Sequence, residues 1–429
     1  MPALLLSVGG SPEPILHVLR TTRPTHVAYF CSAGSRATAD AIHAQMDFTP
    51  IADYLEIDSY EQLGPCYAAL RAWLPGWLAR HHLAPEDVIV DYTGGTKTMS
   101  AALVLAATEI FSRFSYVGGA QRDKAGTGIV ISGSEKLHYQ ANPWRELAVR
   151  EIDHAAQLWA LQQYDAVAAL LKKTKKQIPL PQRPAFERVI DLASALSARL
   201  SLQLHTAAEI LAKLARKLAV DCPDAAPGSL ASFCESAARR FAAAHAASGP
   251  ASDPTAQLRE LLDNALLTAR LGRYDDASAR LYRALELFGQ NELARLTGGA
   301  FHLGRLKAAT LPPSLVNFAP FAGPNGLEAA RRGIALEQVF RALAHLGHSA
   351  GLRAVADFDG PVSLKTPWRQ ATGRRNQSIL AHGLQPVGTD GFASLVALVS
   401  DFTGQDLSLV DLDAPSFDAS WFSPSSRPR

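Results

Sequence analysis

The feature that most constrains this chain is an alternation of short apolar runs with helical stretches, confined to its first 140 residues. Apolar runs occupy residues 3–8, 26–31, 52–57 and 88–92, and helix-like stretches cover 15–20, 36–45, 60–81 and 97–112. Shorter strand candidates at 114–117, 128–132 and 136–140 close the region. Strands that are apolar throughout are covered on both faces, and the intervening helices supply the crossovers of a mostly parallel sheet. The expected fold of residues 1–142 is therefore α/β and Rossmann-like.

The pattern changes at Asn142-Pro143. Residues 143–250 read as an all-α connecting region rich in Ala and Leu, ending in the linker 248–254 (SGPASDP). Residues 251–415 read as a second all-α block, with a Pro/Gly-rich insertion at 311–326. The Ser/Pro-rich tail, 416–429, is expected to be disordered. Residues 265–288 resemble one tetratricopeptide hairpin with Gly272 in its turn, but no second copy recurs at a fixed period. A helical bundle is expected, not a solenoid.

Length and composition agree with this division. A chain of 429 residues, 48% hydrophobic and 19% charged, is globular and too long for one ordinary core. A net charge of +2 means that any nucleic acid must be met by a local patch. Cys31, Cys66, Cys222 and Cys234 lie far apart, so neither a zinc site nor a disulfide framework is indicated. The opening MPALLLSVGG lacks the basic flank of a signal peptide, and no apolar stretch approaches the ~20 residues of a membrane span. The expected location is cytoplasmic.

Two loops of the N-terminal domain carry ligand-binding chemistry. Gly9, Gly10 and Ser11 follow the first strand, and Thr93, Gly94, Gly95, Thr96 and Lys97 follow the fourth. Open parallel sheets bind ligands beyond the carboxyl ends of their strands. Glycines admit close backbone approach, hydroxyls add donors, and a helix N-terminus with Lys97 favours an anion such as a phosphodiester. Neither loop is a Walker loop or a G-x-G-x-x-G turn, which disfavours NTP hydrolysis and NAD. Composition alone leaves a ligand cradle and a tight structural turn equally open.

The strings LLSVGGSPEPI (5–15) and DYTGGTKTM (91–99) resemble the paired signature of CARF domains in CRISPR-associated effectors. The resemblance covers about a third of the chain. It implies a Rossmann-like sensor that forms a homodimer and binds a cyclic oligoadenylate on the two-fold axis. Cyclic tetra-adenylate is the expected activator, ahead of cyclic hexa-adenylate, and no other cofactor or metal is expected.

In the C-terminal block, residues 373–383 read GRRNQSILAHG. Read as one helix from about Arg374, this string would put Arg375 and His382, seven residues apart, on a shared face ending at Gly383. An arginine can hold a scissile phosphate, and a histidine can move a proton near neutral pH. RNA brings its own nucleophile, the 2′-hydroxyl. Position alone still favours a surface arginine and a packed histidine. The wider string resembles the R-x4–6-H motif of HEPN ribonucleases, which are helical bundles with a composite site made by two protomers. That resemblance implies Arg375 and His382 as the catalytic pair and Asn376 as a positioning group. Arg374, beside Arg375, leaves the choice of phosphate-binding arginine open. The implied activity is metal-independent endonucleolytic cleavage of single-stranded RNA in type III CRISPR defence, giving 2′,3′-cyclic phosphate ends. The alternative is a non-catalytic sensor that signals to a partner, with slow ligand cleavage aided by Ser11, Thr96 and Lys97. His81-His82 and the pair His345/His348 are weaker candidates, expected to serve packing.

Overall fold

The computed structural model describes residues 3–119, 134–221, 229–246, 253–297, 313–315, 318, 335–361, 366–378, 380, 383–411 and 413–422; the side chains of residues 221, 371 and 374–376 fall outside that description. The chain divides into two compact units, Met1–Ile152 with Lys176–Leu180, and Asp153–Lys175 with Pro181–Arg429.

The first unit alternates β1 (Ala3–Ser7), α1 (Pro12–Thr22), β2 (His26–Cys31), α2 (Ala33–Ala44), β3 (Ile51–Glu56), α3 (Leu63–Arg80), β4 (Val88–Asp91), α4 (Lys97–Thr108), β5 (Arg113–Gly119) and β6 (Glu135–Ala141). The sheet order is β3-β2-β1-β4-β5-β6. β1 to β5 are parallel, and β6 runs antiparallel to β5. This is the expected Rossmann-like α/β fold; the strand candidate at 128–132 lies outside the described residues. Alternation along β1 and β2 feeds two separate cores. Leu4, Leu6, Val27 and Tyr29 pack with Ile15, Val18 and Leu19 of α1 and Ile42 of α2. Leu5, Ala28 and Phe30 pack with Leu70 and Trp77 of α3 and Leu103 of α4. Both strand faces are buried, so these strands show no polar alternation. The short α5 (Pro143–Glu146), capped by the Asn142 side chain, follows β6.

The remaining helices are α6 (Val149–Ala160), α7 (Tyr164–Thr174), α8 (Arg183–Leu200), α9 (Leu204–Asp221), α10 (Leu230–His245), α11 (Pro254–Arg270), α12 (Tyr274–Thr297), α13 (Leu336–His345), α14 (Ser349–Asp359), α15 (Pro367–Asn376) and α16 (Thr389–Thr403). The second unit takes in both α7–α10 and α11–α16. An ionic cluster helps bind them. Arg199 of α8 and Glu260 and Asp263 of α11 are each 0–1% exposed. Arg199 Nε donates to Glu260 Oε1 at 2.6 Å. Arg240 of α10 donates to Asp263 and lies 3.3 Å from Glu260. Arg259 reaches Asp411 at 2.9 Å and donates to the backbone oxygens of Asp406 and Leu409. The segment after α16 is thereby fixed to α8, α10 and α11.

Among the described residues of this unit, one local device recurs four times. The α6–α7, α8–α9, α11–α12 and α13–α14 connections each place one residue in the left-handed region: Gln162 (φ 54°), Leu202 (φ 57°), Gly272 (φ 73°) and Gly347 (φ 75°). Each closes with the same pair of bonds, for example Gly272 N to Ala269 O and Arg273 N to Thr268 O, matched by Leu202 N to Arg199 O and Gln203 N to Ala198 O. After the first three turns the same offsets bury Val167, Ala207 and Ala277, then Leu171, Leu211 and Leu281. The hairpin read around Gly272 therefore has companions, at irregular intervals. They escape notice in the sequence because Gln162 and Leu202 stand where a turn glycine is expected, at a conformational cost of about 1–2 kcal/mol each.

The disordered-tail expectation is corrected for residues 416–422. Trp159 Nε1 donates to Pro415 O at 2.9 Å, and Phe417 and Trp421 pack edge-on against Trp159. Phe422 packs on Phe186 with ring centroids 4.7 Å apart. The aromatic residues outweigh the Ser/Pro composition on which that expectation rested.

Candidate functional sites

In the first unit, the chain crosses from β1 toward β2 on one side and from β4 toward β5 on the other, so β1 and β4 flank the topological switch point. The two glycine loops meet there. Ser7 Oγ donates to Gly94 O at 2.6 Å, and Ser100 Oγ donates to the same oxygen at 2.7 Å. A Cβ on Gly94 would sit 2.3 Å from Ser7 O, and one on Gly9 would sit 2.7 Å from Gly95 N. Gly95 has φ +84°. These glycines serve loop-to-loop contact, while Gly10 is exposed with open space where a Cβ would stand.

The loop's polar groups divide in the same way. Thr96 caps α4, accepting from Met99 N at 3.1 Å, and donates to Tyr60 O at 3.0 Å. Thr93 Oγ1 accepts from Val117 N at 2.8 Å. Asp91, fully buried beneath the loop, accepts from Ser115 Oγ at 2.7 Å and Thr93 N at 3.0 Å, while burial pushes its carboxyl up from the ordinary carboxylate range. Ser11, Gly10 and Lys97 face outward, and Ser11 makes no side-chain cap bond at the start of α1. Two helix N-termini, of α1 and α4, thus flank the loop pair with Lys97, an arrangement that favours an anion. Ser7, Asp91 and Ser100 hold the loops and were not singled out as site residues. For Ser7 and Asp91 the signal was present: polar residues placed where apolar strands end.

In the second unit, α15 ends at Asn376, and its last helical bond runs from Gln377 N to Gly373 O at 3.2 Å. The expected continuous helix through His382 is corrected. Gly373 weakens the helix from within by about 1 kcal/mol, and the stretch has no apolar stripe to extend it. Arg375 lies in the last turn of α15 with its side chain outside the described set, as are those of Arg374 and Asn376; His382 lies outside the described residues altogether. Gly383 does not cap a helix. A Cβ there would sit 2.0 Å from Gln377 O, and Gln385 N donates to that oxygen at 3.0 Å. The chain on either side of residues 379–382 is thus brought back together.

Packing holds α15 in place. Trp368 contacts Phe340, Phe358 and Phe402, with ring centroids 4.9–5.1 Å away. The Arg369 guanidinium donates to Phe358 O, Gly360 O and Pro361 O at 2.7–2.8 Å, closing the end of α14.

Residues 251–406 match a family model described as the Csm6 HEPN domain. The matched segment, about a third of the chain, is similar to that domain. It spans Arg375, Asn376 and His382. Among solved structures, Enterococcus italicus Csm6 bound to cyclic hexa-2′-fluoro-hexa-dAMP shares the fold end to end, with a TM-score of 0.57, 12% identity, and coverage of 98% of this chain and 97% of that one. No curated protein sequence matches. The expected CARF–HEPN resemblance is borne out by the segment match and the full-length fold.

The weaker candidates resolve into packing. His81 lies 2.6 Å from Asp53 of β3, a carboxylate that sequence spacing did not reveal. His348 lies 3.3 Å from Glu292, and His345 packs beside Phe318. Among the described residues, no group of three His, Cys, Asp or Glu is placed to hold a metal ion, and no helix is long and apolar enough to cross a membrane. Burial pushes the Cys31 thiol up to about 11 and the Cys234 thiol to about 12, which makes both poor nucleophiles.

Proposed function

We propose that the chain is a cyclic-oligoadenylate-activated endoribonuclease of type III CRISPR defence. The observation that carries the reading is the Csm6 HEPN match over the segment containing Arg375 and His382. Support for the activator comes from the glycine loops at the switch point and from a fold shared with a Csm6 whose structure holds a cyclic hexanucleotide analogue. Within the second unit, residues 251–415 are the ribonuclease domain and the helices before them are the connection to the sensor.

In this reading the RNA 2′-hydroxyl oxygen attacks the adjacent phosphorus, and the bond to the 5′-oxygen breaks. His382 carries proton traffic between the attacking 2′-oxygen and the leaving 5′-oxygen. Arg375 stabilises the charge that builds on the phosphoryl oxygens, and Asn376 positions the strand. The products are a 2′,3′-cyclic phosphate and a 5′-hydroxyl. Because the nucleophile is internal to the substrate, the reaction needs no metal-bound water. Two protomers complete the composite site, and Gly10, Ser11 and Lys97 face the activator, on loops that Thr93 and Thr96 hold in place. The activator acts by binding the cleaving arrangement more tightly than the idle one.

The test is single-stranded RNA cleavage by purified protein in EDTA, with no activator, cyclic tetra-adenylate or cyclic hexa-adenylate. Sequence reading favoured the smaller ring, whereas the solved Csm6 holds a six-nucleotide analogue. The side-by-side titration decides between them. Activator-dependent cleavage ending in cyclic phosphate supports the reading. Tight activator binding with no cleavage favours the non-catalytic sensor.

A further inference from the structure

A concave site of about 360 Å³ lies directly beside the proposed catalytic motif. Gln377, Gln385, Thr389 and Asp390 are among its lining residues. Its volume falls within the range of about 300–1,000 Å³ typical of small-ligand sites. Chain connectivity ties it to the motif at both ends: Gln377 follows Asn376, and Gly383, which follows His382, contacts Gln377 O. The walls are held. Gln385 N donates to Gln377 O at 3.0 Å, and Val387 N donates to Asp275 Oδ1 of α12 at 3.2 Å. Phe392, one turn inside α16, packs on Tyr274 with centroids 5.7 Å apart.

The lining chemistry is selective. Among the described lining residues, Asp390 carries the one charged side chain. Asp390, Gln377, Gln385 and Thr389 are exposed, and none of their side chains has a partner among the described residues. A carboxylate flanked by two amides suits the edge of a nucleobase that presents N–H donors. Unstacked bases of single-stranded RNA are read in this way at their Watson–Crick edges, and carboxylates accept from exocyclic amino groups.

We infer that this site is a nucleobase subsite flanking the scissile phosphate, with Asp390 as its specificity-determining residue. It selects bases that carry an exocyclic amino group (adenine, cytosine or guanine) over uracil, whose Watson–Crick edge has two carbonyl acceptors and a single donor. The inference rests on the ribonuclease reading above.

The experiment uses the full chain with cyclic oligoadenylate, a set of single-stranded RNAs of randomised sequence, and sequencing of the cleaved ends. The parent should deplete uracil at one position beside the cut, by about tenfold for one lost hydrogen bond to a charged acceptor. Asp390→Asn replaces one acceptor oxygen with a donor and should erase that depletion. Gln385→Ala should weaken it. Thermal melts of the same proteins separate a role limited to the helix: if Asp390 serves only the first turn of α16, the Asn variant shifts the melt and leaves the base profile untouched. An unchanged profile in Asp390→Asn, or a parent that cuts beside uracil as often as beside the other bases, overturns the subsite while leaving the ribonuclease reading intact. A parent that binds activator and cuts no RNA overturns both.

Discussion

Arg199→Met tests the physics of the second unit where the consequences are largest. Arg199 is 1% exposed and Glu260 is 0% exposed, so water cannot replace the 2.6 Å bond between them. Breaking a buried pair from one side costs about 3–5 kcal/mol. Arg240, 3.3 Å from Glu260, remains to share the charge, which places the expected loss at the lower end, about 3 kcal/mol. For a unit of this size each kcal/mol lowers the melting temperature by about 2–4 °C, giving a fall of roughly 6–12 °C. The loss should depend on pH in a definite direction. Burial already pushes the Glu260 and Asp263 carboxyls up, with the arginines opposing. Removing Arg199 weakens the opposition, so Glu260 rises further and takes a proton more readily in the folded state. A carboxyl raised on folding loses stability as pH climbs through and above the ordinary carboxylate range, so the deficit should be full at neutral pH and smaller in mild acid. Melts followed by circular dichroism from mildly acidic to mildly alkaline pH give both quantities. Adding Glu260→Met should recover much of the loss, because Arg240 keeps Asp263. A single variant that melts within about 2 °C of the parent at every pH would refute the account, since that corresponds to less than about 1 kcal/mol.

Four further outcomes are expected. His382→Ala should slow RNA cleavage by about 10² to 10⁴ and leave activator affinity unchanged in a direct binding assay. Lys97→Ala should raise the activator concentration for half-maximal cleavage by roughly tenfold, the worth of one charge-assisted contact, with an unchanged melt; an unmoved midpoint removes Lys97 from the ligand site. Gly94→Ala forces a Cβ to within 2.3 Å of Ser7 O and should cost about 1–3 kcal/mol of stability in the ligand-free protein, read by thermal melts. Phe422→Ala should cost about 3 kcal/mol if the tail packs on Phe186 as seen, and nothing if residues 416–422 are loose in solution.

The fold of the first unit was legible because strands buried on both faces leave unbroken apolar runs and glycine punctuation at each carboxyl end. β1, β2 and β4 lie within a residue of their expected spans, and the meeting of residues 9–11 with 93–97 follows once β1 and β4 pair. The Arg375…His382 string was legible only as a resemblance, since its local helix was misread: a glycine-weakened polar stretch carries no period to show where α15 stops. The sequence by itself thus determined the layer order, the glycine loops and the motif string, all of which are local in the chain. Tertiary structure alone decided the rest. Arg199, Glu260 and Asp411 are too far apart in sequence for any spacing rule to pair them, yet they meet in one cluster with partners within 4 Å. Turns at Gln162 and Leu202 are left-handed because the helices on either side are already packed, and residues 417–422 are held because Trp159 and Phe186 receive their rings. Local pattern reports what a segment can form; burial of charge and aromatic contact across the chain decide which segments are held together.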